Sequence, residues 1–297
     1  MVASTELSYS DESSDALSVP FEMIGGLPIA AIGRADSAQL MIETAALRRQ
    51  SDRPALVFTS ANGQVLSMCA RHAAIQKLFV DADLVHADGM PIVLASRLLC
   101  DKRLPERVAT TDLFHDVAKI AHERGTTFYL LGGTSLVIEQ AVRRARRLYP
   151  RLEIVGYRNG YFSREEEPTI VEEIDALRPD ILWVGLGAPA EQRFAMRNRD
   201  RLRHVGIIKT SGGLFDFLSG KSPRAPKWMQ AASLEWAYRT WLEPRRLVGR
   251  YIVTNPHAVF VLATQTAGRR SAGRRAIDVQ SHRPAESAVT ARMKRAS

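Results

Sequence analysis

The sequence has no apolar run long enough to cross a bilayer, which requires about 18 consecutive apolar residues. The nearest stretch, YIVTNPHAVFVLA at 251–263, is interrupted by Asn255, Pro256 and His257. Residues 1–20 also lack the basic start and apolar centre of a signal peptide. We therefore expect a cytoplasmic protein that is soluble or rests on a membrane surface.

Cysteine is scarce, with Cys69 and Cys100 the two in 297 residues. Both lie in segments with a helical pattern. This usage is typical of free, buried thiols in a reducing compartment and excludes a disulfide-rich secreted fold.

Large apolar residues are also rare at both ends of the chain. Residues 1–20 are acidic and polar, whereas residues 264–297 are basic and contain GRRSAGRR and ARMKRAS. The net charge of the whole chain is +9. Such segments bury too little apolar surface to fold, so both are predicted to be disordered. Between them we expect an α/β domain at 21–220 and a helical, basic appendage at 221–263, which holds three of the four tryptophans.

Short β-rich apolar runs alternate with longer helical patterns between residues 27 and 210. This alternation predicts right-handed βαβ units that form a mostly parallel, Rossmann-like sheet covered by helices on both faces. Ligands of such sheets bind at the carboxyl ends of the strands. Polar or glycine-rich loops follow five predicted strands, and they supply candidate substrate-binding residues: Ser60, Asn62, Gly132, Gly133, Gly187, Pro189, Glu191, Gln192, Gly212 and Gly213.

The Gly220-Lys221-Ser222 tripeptide has the ending of a phosphate-binding P-loop but not its spacing. That motif requires a glycine five positions before Gly220, where Phe215 stands, and a helix should follow the lysine. Pro223 and Pro226 instead disfavour a helix. The sequence therefore predicts a stiff hinge and not a nucleotide cradle.

Two further motifs are weak. LWVGLGAPA at 182–190 has glycines spaced as in a dinucleotide site, but Pro189 removes a backbone donor where the pyrophosphate would dock. Asp81 and Asp83 could hold a divalent cation. They precede a strand, however, and so lie at the opposite end of the sheet from the candidate loops. We expect neither a dinucleotide cofactor nor a metal ion.

Asp88 and Arg107 are the candidate catalytic residues. Asp88 follows a predicted strand in HADGMP, and Arg107 precedes a helix in ERVATTDL, where an anion would be favoured. An aspartate before glycine is also a common turn former. The arginine run at 143–151 could bind nucleic acid, but no aromatic stacking pattern accompanies it, so we interpret it as a solvated helix face.

These segments together resemble the WecG/TagA/CpsF glycosyltransferase family over about residues 30–262. The resemblance rests on a series of matches in order: Ser60-Ala61-Asn62, ADLVHADGMP, ERVATTDL, FYLLGG, GYF at 160–162, VGLGAPAEQRF, SGGLFDFLSGKSPRAP and LEWAYRTWLEPRRLVGRY. It implies an inverting, β-linkage-forming hexosyltransferase at the inner face of the plasma membrane. The enzyme would move a sugar from a UDP-sugar to a polyprenyl-diphosphate-linked glycan in surface or exopolysaccharide biosynthesis.

The resemblance also implies roles for particular residues. Asp88 corresponds to the proposed general base, and Arg107 is implicated in activity. The appendage is expected to approach an anionic membrane surface, and self-association is expected. Candidate arginines for contact with the lipid diphosphate or the membrane are Arg239, Arg245, Arg246 and Arg250.

The chain departs from the family pattern at three places. Ser60 replaces threonine, and Thr110 stands where the family has glycine. Pro189-Ala190-Glu191-Gln192 stands where most members have Pro-Lys-Gln-Glu. Because this last loop lies near the nucleotide-sugar in the family, the identity of the donor stays open. Two alternatives also remain: a non-catalytic scaffold of a polysaccharide assembly, and a basic protein that binds nucleic acid or polyphosphate with strong salt dependence.

Overall fold

A computed structural model of the protein describes residues 16–49, 52–226, 228–229, 234–242, 244–266 and 273–278. The strands are β1 (Ala16–Ile24), β2 (Leu27–Ala30), β3 (Leu56–Ala61), β4 (Leu84–Ala87), β5 (Phe128–Gly132), β6 (Ile154–Arg158), β7 (Ile181–Gly185), β8 (Ile207–Thr210) and β9 (Gly273–Asp278). The helices are α1 (Arg34–Arg48), α2 (Gly63–Arg71), α3 (Ala73–Val80), α4 (Met90–Leu99), α5 (Thr110–Arg124), α6 (Ser135–Leu148), α7 (Glu167–Leu177), α8 (Ala190–Asn198), α9 (Leu214–Leu218), α10 (Glu235–Leu242) and α11 (Pro244–Gln265).

Six parallel strands form the central sheet in the order β4-β3-β8-β7-β5-β6. This confirms the predicted α/β class. The register aligns the strand ends, because Ala61 pairs with Ala87 and Val184 pairs with Thr210. The loops that follow β3, β4, β7 and β8 therefore open at one edge of the sheet.

Both faces of the sheet are buried, and alternate residues of each strand serve opposite faces. In β7, Trp183 packs into one core cluster and Leu182 into the other; Phe58 and Val57 divide in the same way in β3. The near-continuous apolar runs in the sequence reflect this double burial.

A small antiparallel sheet, β2-β1-β9, joins the two ends of the described chain. Its bounds differ from the sequence prediction, since β1 begins at Ala16 and β9 lies within 264–297. Six residue pairs from Ala16–Asp278 to Phe21–Gly273 supply the backbone partners that neither segment has alone. The other residues expected to be disordered lie outside the described ranges.

The predicted helix after β3 is two helices, because the chain leaves helical geometry at His72 between α2 and α3. The predicted helical segment after residue 220 is observed as α10 and α11. Helix α11 packs against α2: Ser67 Oγ and His257 Nδ1 are 2.9 Å apart, and Val261 is fully buried. Within the described ranges, no helix combines the length and the apolar character that a membrane crossing requires.

Candidate active site

Asp88 lies directly after β4, at the edge of the sheet where the loops open. Its backbone N–H donates to the Ala61 carbonyl at 2.8 Å, which ties the end of β4 to the end of β3. The Thr110 hydroxyl donates to Asp88 Oδ2 at 3.1 Å. Burial raises the pKa of the Asp88 carboxyl to about 6, against the lowering effects of Arg107, Lys209 and the hydrogen bond from Thr110. A carboxyl with such a pKa is ionised at neutral pH and basic enough to accept a proton.

A chain of hydroxyl groups connects Asp88 to a buried lysine. Thr110 Oγ1 lies 3.1 Å from Ser60 Oγ, and Lys209 Nζ donates to Ser60 Oγ at 2.8 Å. Lys209 also donates to the Thr210 carbonyl at 3.1 Å. The side chains of β3, β8 and α5 thus meet at one point beside Asp88.

Glu191 joins the loops that follow β7 and β8. Its Oε2 accepts hydrogen bonds from the backbone N–H groups of Gly187, at 3.1 Å, and Gly212, at 2.8 Å. Burial raises the pKa of this carboxyl to about 7, although both backbone bonds and Lys209 favour its charged form. Glu191 therefore holds the two loops in a fixed relation.

Gln192 braces the strands beneath these loops. Its Nε2 donates to Thr59 Oγ1 at 3.0 Å and approaches Thr210 Oγ1 at 3.4 Å, while the two threonine hydroxyls are 2.8 Å apart. Gln192 is 1% exposed, so the structure places it below the surface that a substrate would contact.

Arg107 enters the site from the loop before α5. The N–H of the next residue, Val108, donates to the Ala87 carbonyl at 2.8 Å and holds this loop against the end of β4. The guanidinium group pairs with Glu235 of α10 at 2.8 Å and lies 3.7 Å from Asp112. A residue from the C-terminal helices therefore reaches the predicted site, although it is an acidic one.

Arg224 connects the loop after α9 to the start of α5. Its guanidinium group forms a paired contact with the Asp112 carboxylate. The pKa of the Asp112 carboxyl is lowered, because Arg224, Arg34 and Arg107 outweigh the effect of its burial. Asp216 pairs with Lys221 at 3.0 Å within the same loop.

The five candidate glycines divide into two groups. A side chain at Gly132 would collide with the Gly185 carbonyl, and one at Gly133 would press on Val137. These two glycines allow close packing of neighbouring segments. Open space surrounds the position that a Cβ would take at the other three, which are therefore available for backbone approach to a ligand: Gly187, Gly212 and Gly213.

The remaining candidates lie at the starts of two helices of the α/β domain and on the C-terminal helices. Asn62 caps α2 by accepting from the Val65 N–H at 3.1 Å, and Pro189 precedes the first turn of α8. Arg239 is in α10, and the other predicted arginines are in α11. Arg245 is exposed, whereas the side chains of Arg239, Arg246 and Arg250 lie outside the described part of the structure.

The sequence motifs that were not assigned to the site lie where they were predicted to lie. Asp83 accepts from the Val57 N–H and from Arg199 at the amino ends of the strands. Gly220 and Lys221 follow α9 and do not open a helix. The arginines at 143–147 are exposed on α6. Among the described residues, no group of three or more His, Cys, Asp or Glu side chains is placed to hold a metal ion.

Three residues near Asp88 were not predicted from the sequence as members of the site. Lys209 had a signal, since a lysine inside the apolar strand GIIKT must find a buried partner. Thr110 was noted as a departure from the family pattern, but its hydroxyl contact with Asp88 depends on how α5 docks. Glu235 had no signal, because a long-range helix contact brings it to Arg107.

A parallel sheet with a carboxylate of raised pKa and open backbone at the carboxyl ends of its strands has the arrangement of an α/β enzyme active site. A profile of the glycosyl transferase WecG/TagA/CpsF family matches residues 22–272, and the chain belongs to this family. It is thus a glycosyltransferase.

Curated relatives have more specific names. An N-acetylglucosaminyldiphosphoundecaprenol N-acetyl-beta-D-mannosaminyltransferase of Bacillus subtilis (strain 168) is 30% identical over 190 residues, which cover 64% of this chain and 73% of the relative. The protein of the same name from Staphylococcus aureus (strain NCTC 8325 / PS 47) is 29% identical over 192 residues, covering 65% and 74%.

Proposed function

We propose that this protein transfers a hexosyl group from a UDP-sugar to a polyprenyl-diphosphate-linked glycan, with inversion to a β linkage, in cell-surface or exopolysaccharide assembly. The family membership and the names of the two relatives support the reaction class and the lipid-diphosphate acceptor. The observation that carries the proposal in this chain is Asp88, whose half-buried carboxylate of raised pKa lies at the same end of the sheet as the open backbone of Gly187, Gly212 and Gly213.

Inversion requires the acceptor hydroxyl to attack the anomeric carbon opposite the departing UDP. Asp88 takes the hydroxyl proton while the acceptor oxygen forms its bond to the anomeric carbon. The bond between that carbon and the β-phosphate oxygen breaks, and its electron pair leaves with UDP. General-base assistance of this kind contributes about 10²–10⁴-fold to the rate.

The departing diphosphate develops negative charge that the site must stabilise. Arg107 is 14% exposed at its side chain and could turn from Glu235 toward the phosphates. The Gly212 N–H already donates to Glu191, but the absence of side chains at Gly212 and Gly213 lets the diphosphate approach this loop closely. We propose that these groups supply the stabilisation and that the transfer requires no metal ion.

The test is acceptor-dependent release of UDP from a panel of UDP-sugars. The acceptor is a lipid-diphosphate monosaccharide, and wild type is compared with Asp88→Asn. Release by wild type that the variant loses, with thermal unfolding unchanged, supports the proposal and identifies the donor. UDP release equal in both proteins would remove Asp88 as the base. Binding of partner proteins without transfer would favour the scaffold alternative.

The same proposal places α10 and α11 at the inner face of the plasma membrane. Large apolar side chains on these helices are exposed, including Trp241 at 77% and Ile252 at 68%. Arg245 adds positive charge nearby. Tryptophan suits the boundary between water and lipid, and each cation near an anionic leaflet contributes about 1 kcal/mol. Self-association of the chain stays a prediction, which sedimentation analysis would test.

Vesicle sedimentation with anionic lipid tests this surface. Trp241→Ser and Ile252→Ser should each weaken binding of the full chain by roughly tenfold, because burial of one such side chain contributes about 1.5–3 kcal/mol. Leu136→Ser is the matched control, since Leu136 is 64% exposed on α6. Equal loss in the control variant would contradict a specific surface.

A further inference from the structure

Lys209 is a charged residue in the interior of the central sheet. It is fully buried in β8, level with Phe58 of β3 and Trp183 of β7. A lysine in such a place is costly unless its ammonium group is hydrogen-bonded and faces opposite charge. The ammonium group donates to Ser60 Oγ at 2.8 Å and to the Thr210 carbonyl at 3.1 Å.

The donors and acceptors fix the direction of the hydrogen bonds from Lys209 to Asp88. A protonated lysine only donates, so Ser60 Oγ accepts from it. An ionised aspartate only accepts, so the Thr110 hydroxyl donates to Asp88 Oδ2. The single Ser60 hydrogen is then the one that lies between Ser60 Oγ and Thr110 Oγ1. Each bond in this chain is consistent with one charge state, a cationic Lys209 and an anionic Asp88.

We propose that Lys209 is a positioning residue for the transfer reaction: through Ser60 and Thr110 it keeps Asp88 ionised and holds Oδ2, which leaves Oδ1 for the acceptor hydroxyl. This inference rests on the proposed role of Asp88 as general base. Lys209 itself touches neither the acceptor nor the donor. Its action reaches the reacting atoms only through the two hydroxyl groups and its charge.

Several other charged groups lie near Asp88 and Lys209, the two ends of this series of hydrogen bonds. Arg107 lowers the pKa of Asp88 and Glu235 of α10 raises it, while Arg224 also interacts with the Asp88 charge. Around Lys209, Asp88 and Glu191 favour its charged form, but burial is the largest effect and lowers its pKa to about 8.

His86 adds no compensating charge next to Lys209. Burial and the nearby lysine hold the pKa of the His86 imidazole well below its usual range, so this ring is neutral. Its Nδ1 lies 3.3 Å from the Thr59 carbonyl. Lys209 is therefore the cation that Asp88 and Glu191 share within the sheet.

This arrangement links Glu191, in the loop after β7, to Lys209 of β8. Glu191 brings a carboxylate into the buried edge of the sheet, and Lys209 supplies the matching positive charge. Removal of Lys209 alone would leave two buried carboxylates without their shared cation. Removal of Lys209 together with the Glu191 charge would restore the balance, while Asp88 loses the cation in the sheet and keeps Arg107, which has the larger effect on its pKa.

The experiment compares Glu191→Gln with the charge-matched double variant Glu191→Gln/Lys209→Met. We expect both to fold, as measured by circular dichroism and thermal unfolding. The acid limb of the pH profile of kcat/KM should lie about one pH unit higher in the double variant, because loss of a nearby cation raises a carboxyl pKa by about that much. At pH values well below the Asp88 pKa, kcat/KM should then be about tenfold lower in the double variant. The KM for the UDP-sugar should be unchanged. Lys119→Met, an exposed lysine on α5, is the control that should leave the profile of wild type unchanged.

A second set of variants interrupts the series of hydrogen bonds from Lys209 to Asp88 without changing Lys209. Thr110→Val removes the hydroxyl between Ser60 and Asp88, so it should move the acid limb in the same direction. Adding Thr110→Val to Glu191→Gln/Lys209→Met should then move the limb by less than Thr110→Val does in wild type. The single variant Thr110→Val stays informative if the double variant does not fold.

The outcomes separate this inference from the proposed function. A lower kcat with the acid limb in place, in the double variant or in Thr110→Val, would overturn the positioning role and leave Lys209 with a structural one. Full activity in Asp88→Asn would instead overturn the proposed base, whatever the Lys209 variants show.

Discussion

The two ends of the central sheet both bury carboxylates, but they treat them differently. At the amino end, Asp180 accepts from the backbone N–H and the hydroxyl of Thr127, at 2.8 and 3.0 Å, and from two nitrogens of Arg49, at 2.8 and 2.6 Å. Both carboxylate oxygens are occupied. Such a group stabilises the fold and is held too firmly for chemistry.

At the carboxyl end, Asp88 accepts one side-chain hydrogen bond from the described residues, and burial raises its pKa to about 6. Burial also raises the pKa of Glu191 to about 7 and lowers the pKa of Lys209 to about 8, although both carboxylate oxygens of Glu191 accept hydrogen bonds. A displaced pKa together with incomplete hydrogen bonding therefore distinguishes Asp88 from both Asp180 and Glu191.

The largest effect should follow from Asp88→Asn. The amide keeps the shape of the side chain but cannot accept the acceptor proton, so kcat should fall by about 10²–10⁴-fold. Thermal unfolding should change little. A turnover assay and a melting curve on the same preparation check this, and a variant that loses stability in place of turnover would make the two ends of the sheet alike.

Asp180→Ala should show the opposite behaviour. It leaves the buried Thr127 N–H without its acceptor, which costs about 1–3 kcal/mol of unfolding free energy. Activity per folded molecule should stay at the wild-type value, because the substitution is at the far end of the strands. Urea unfolding combined with active-site titration measures both quantities. A loss of turnover in the folded fraction would contradict the division between the two ends.

The free energy of unfolding should depend on pH because folding shifts the pKa values of the ionisable groups at the carboxyl end of the sheet. The Glu191 pKa rises from 4.5 to about 7 on folding, so between these values the folded chain binds more protons than the unfolded chain. The stability that protonated Glu191 contributes is fully present below pH 4.5 and is lost as pH rises through 7. Asp88 acts in the same direction between 3.8 and about 6.

Glu191→Gln tests this dependence. It should flatten the fall in unfolding free energy between pH 4.5 and 7 by about 3 kcal/mol, since one pKa unit corresponds to about 1.4 kcal/mol. Lys209 acts in a separate window: its folded pKa is about 8 against 10.5, so its contribution is present above 10.5 and lost as pH falls through 8. Melting curves from pH 4 to 10 resolve the two windows. An unchanged slope in Glu191→Gln would mean that this carboxyl is not the source.

The sequence was sufficient for the layered fold, because alternating apolar runs predicted the parallel sheet. Asp88 and Arg107 were predicted as site residues because they follow or precede predicted elements, and the structure places both at the carboxyl end of the sheet. The hydrogen bonds from Lys209 to Asp88 were not predictable in the same way, since their members come from β3, β8 and α5, and their meeting depends on register and helix docking. The pairing of β1 with β9 was missed for a similar reason, because each strand has its partner at the other end of the chain.

The smallest expected effect is that of a chelator. We propose that Arg107 and the open backbone of the loops after β7 and β8 stabilise the departing diphosphate, which makes the transfer independent of metal ions. EDTA should then leave kcat unchanged, and added Mg²⁺ should not increase it. Arg107→Met should instead lower kcat, since it removes a cation that a soluble metal ion cannot replace in the same geometry. Loss of turnover on chelation, with recovery on adding a divalent cation, would show that the carboxyl end of the sheet uses its acidic residues to hold a metal as well as to accept a proton.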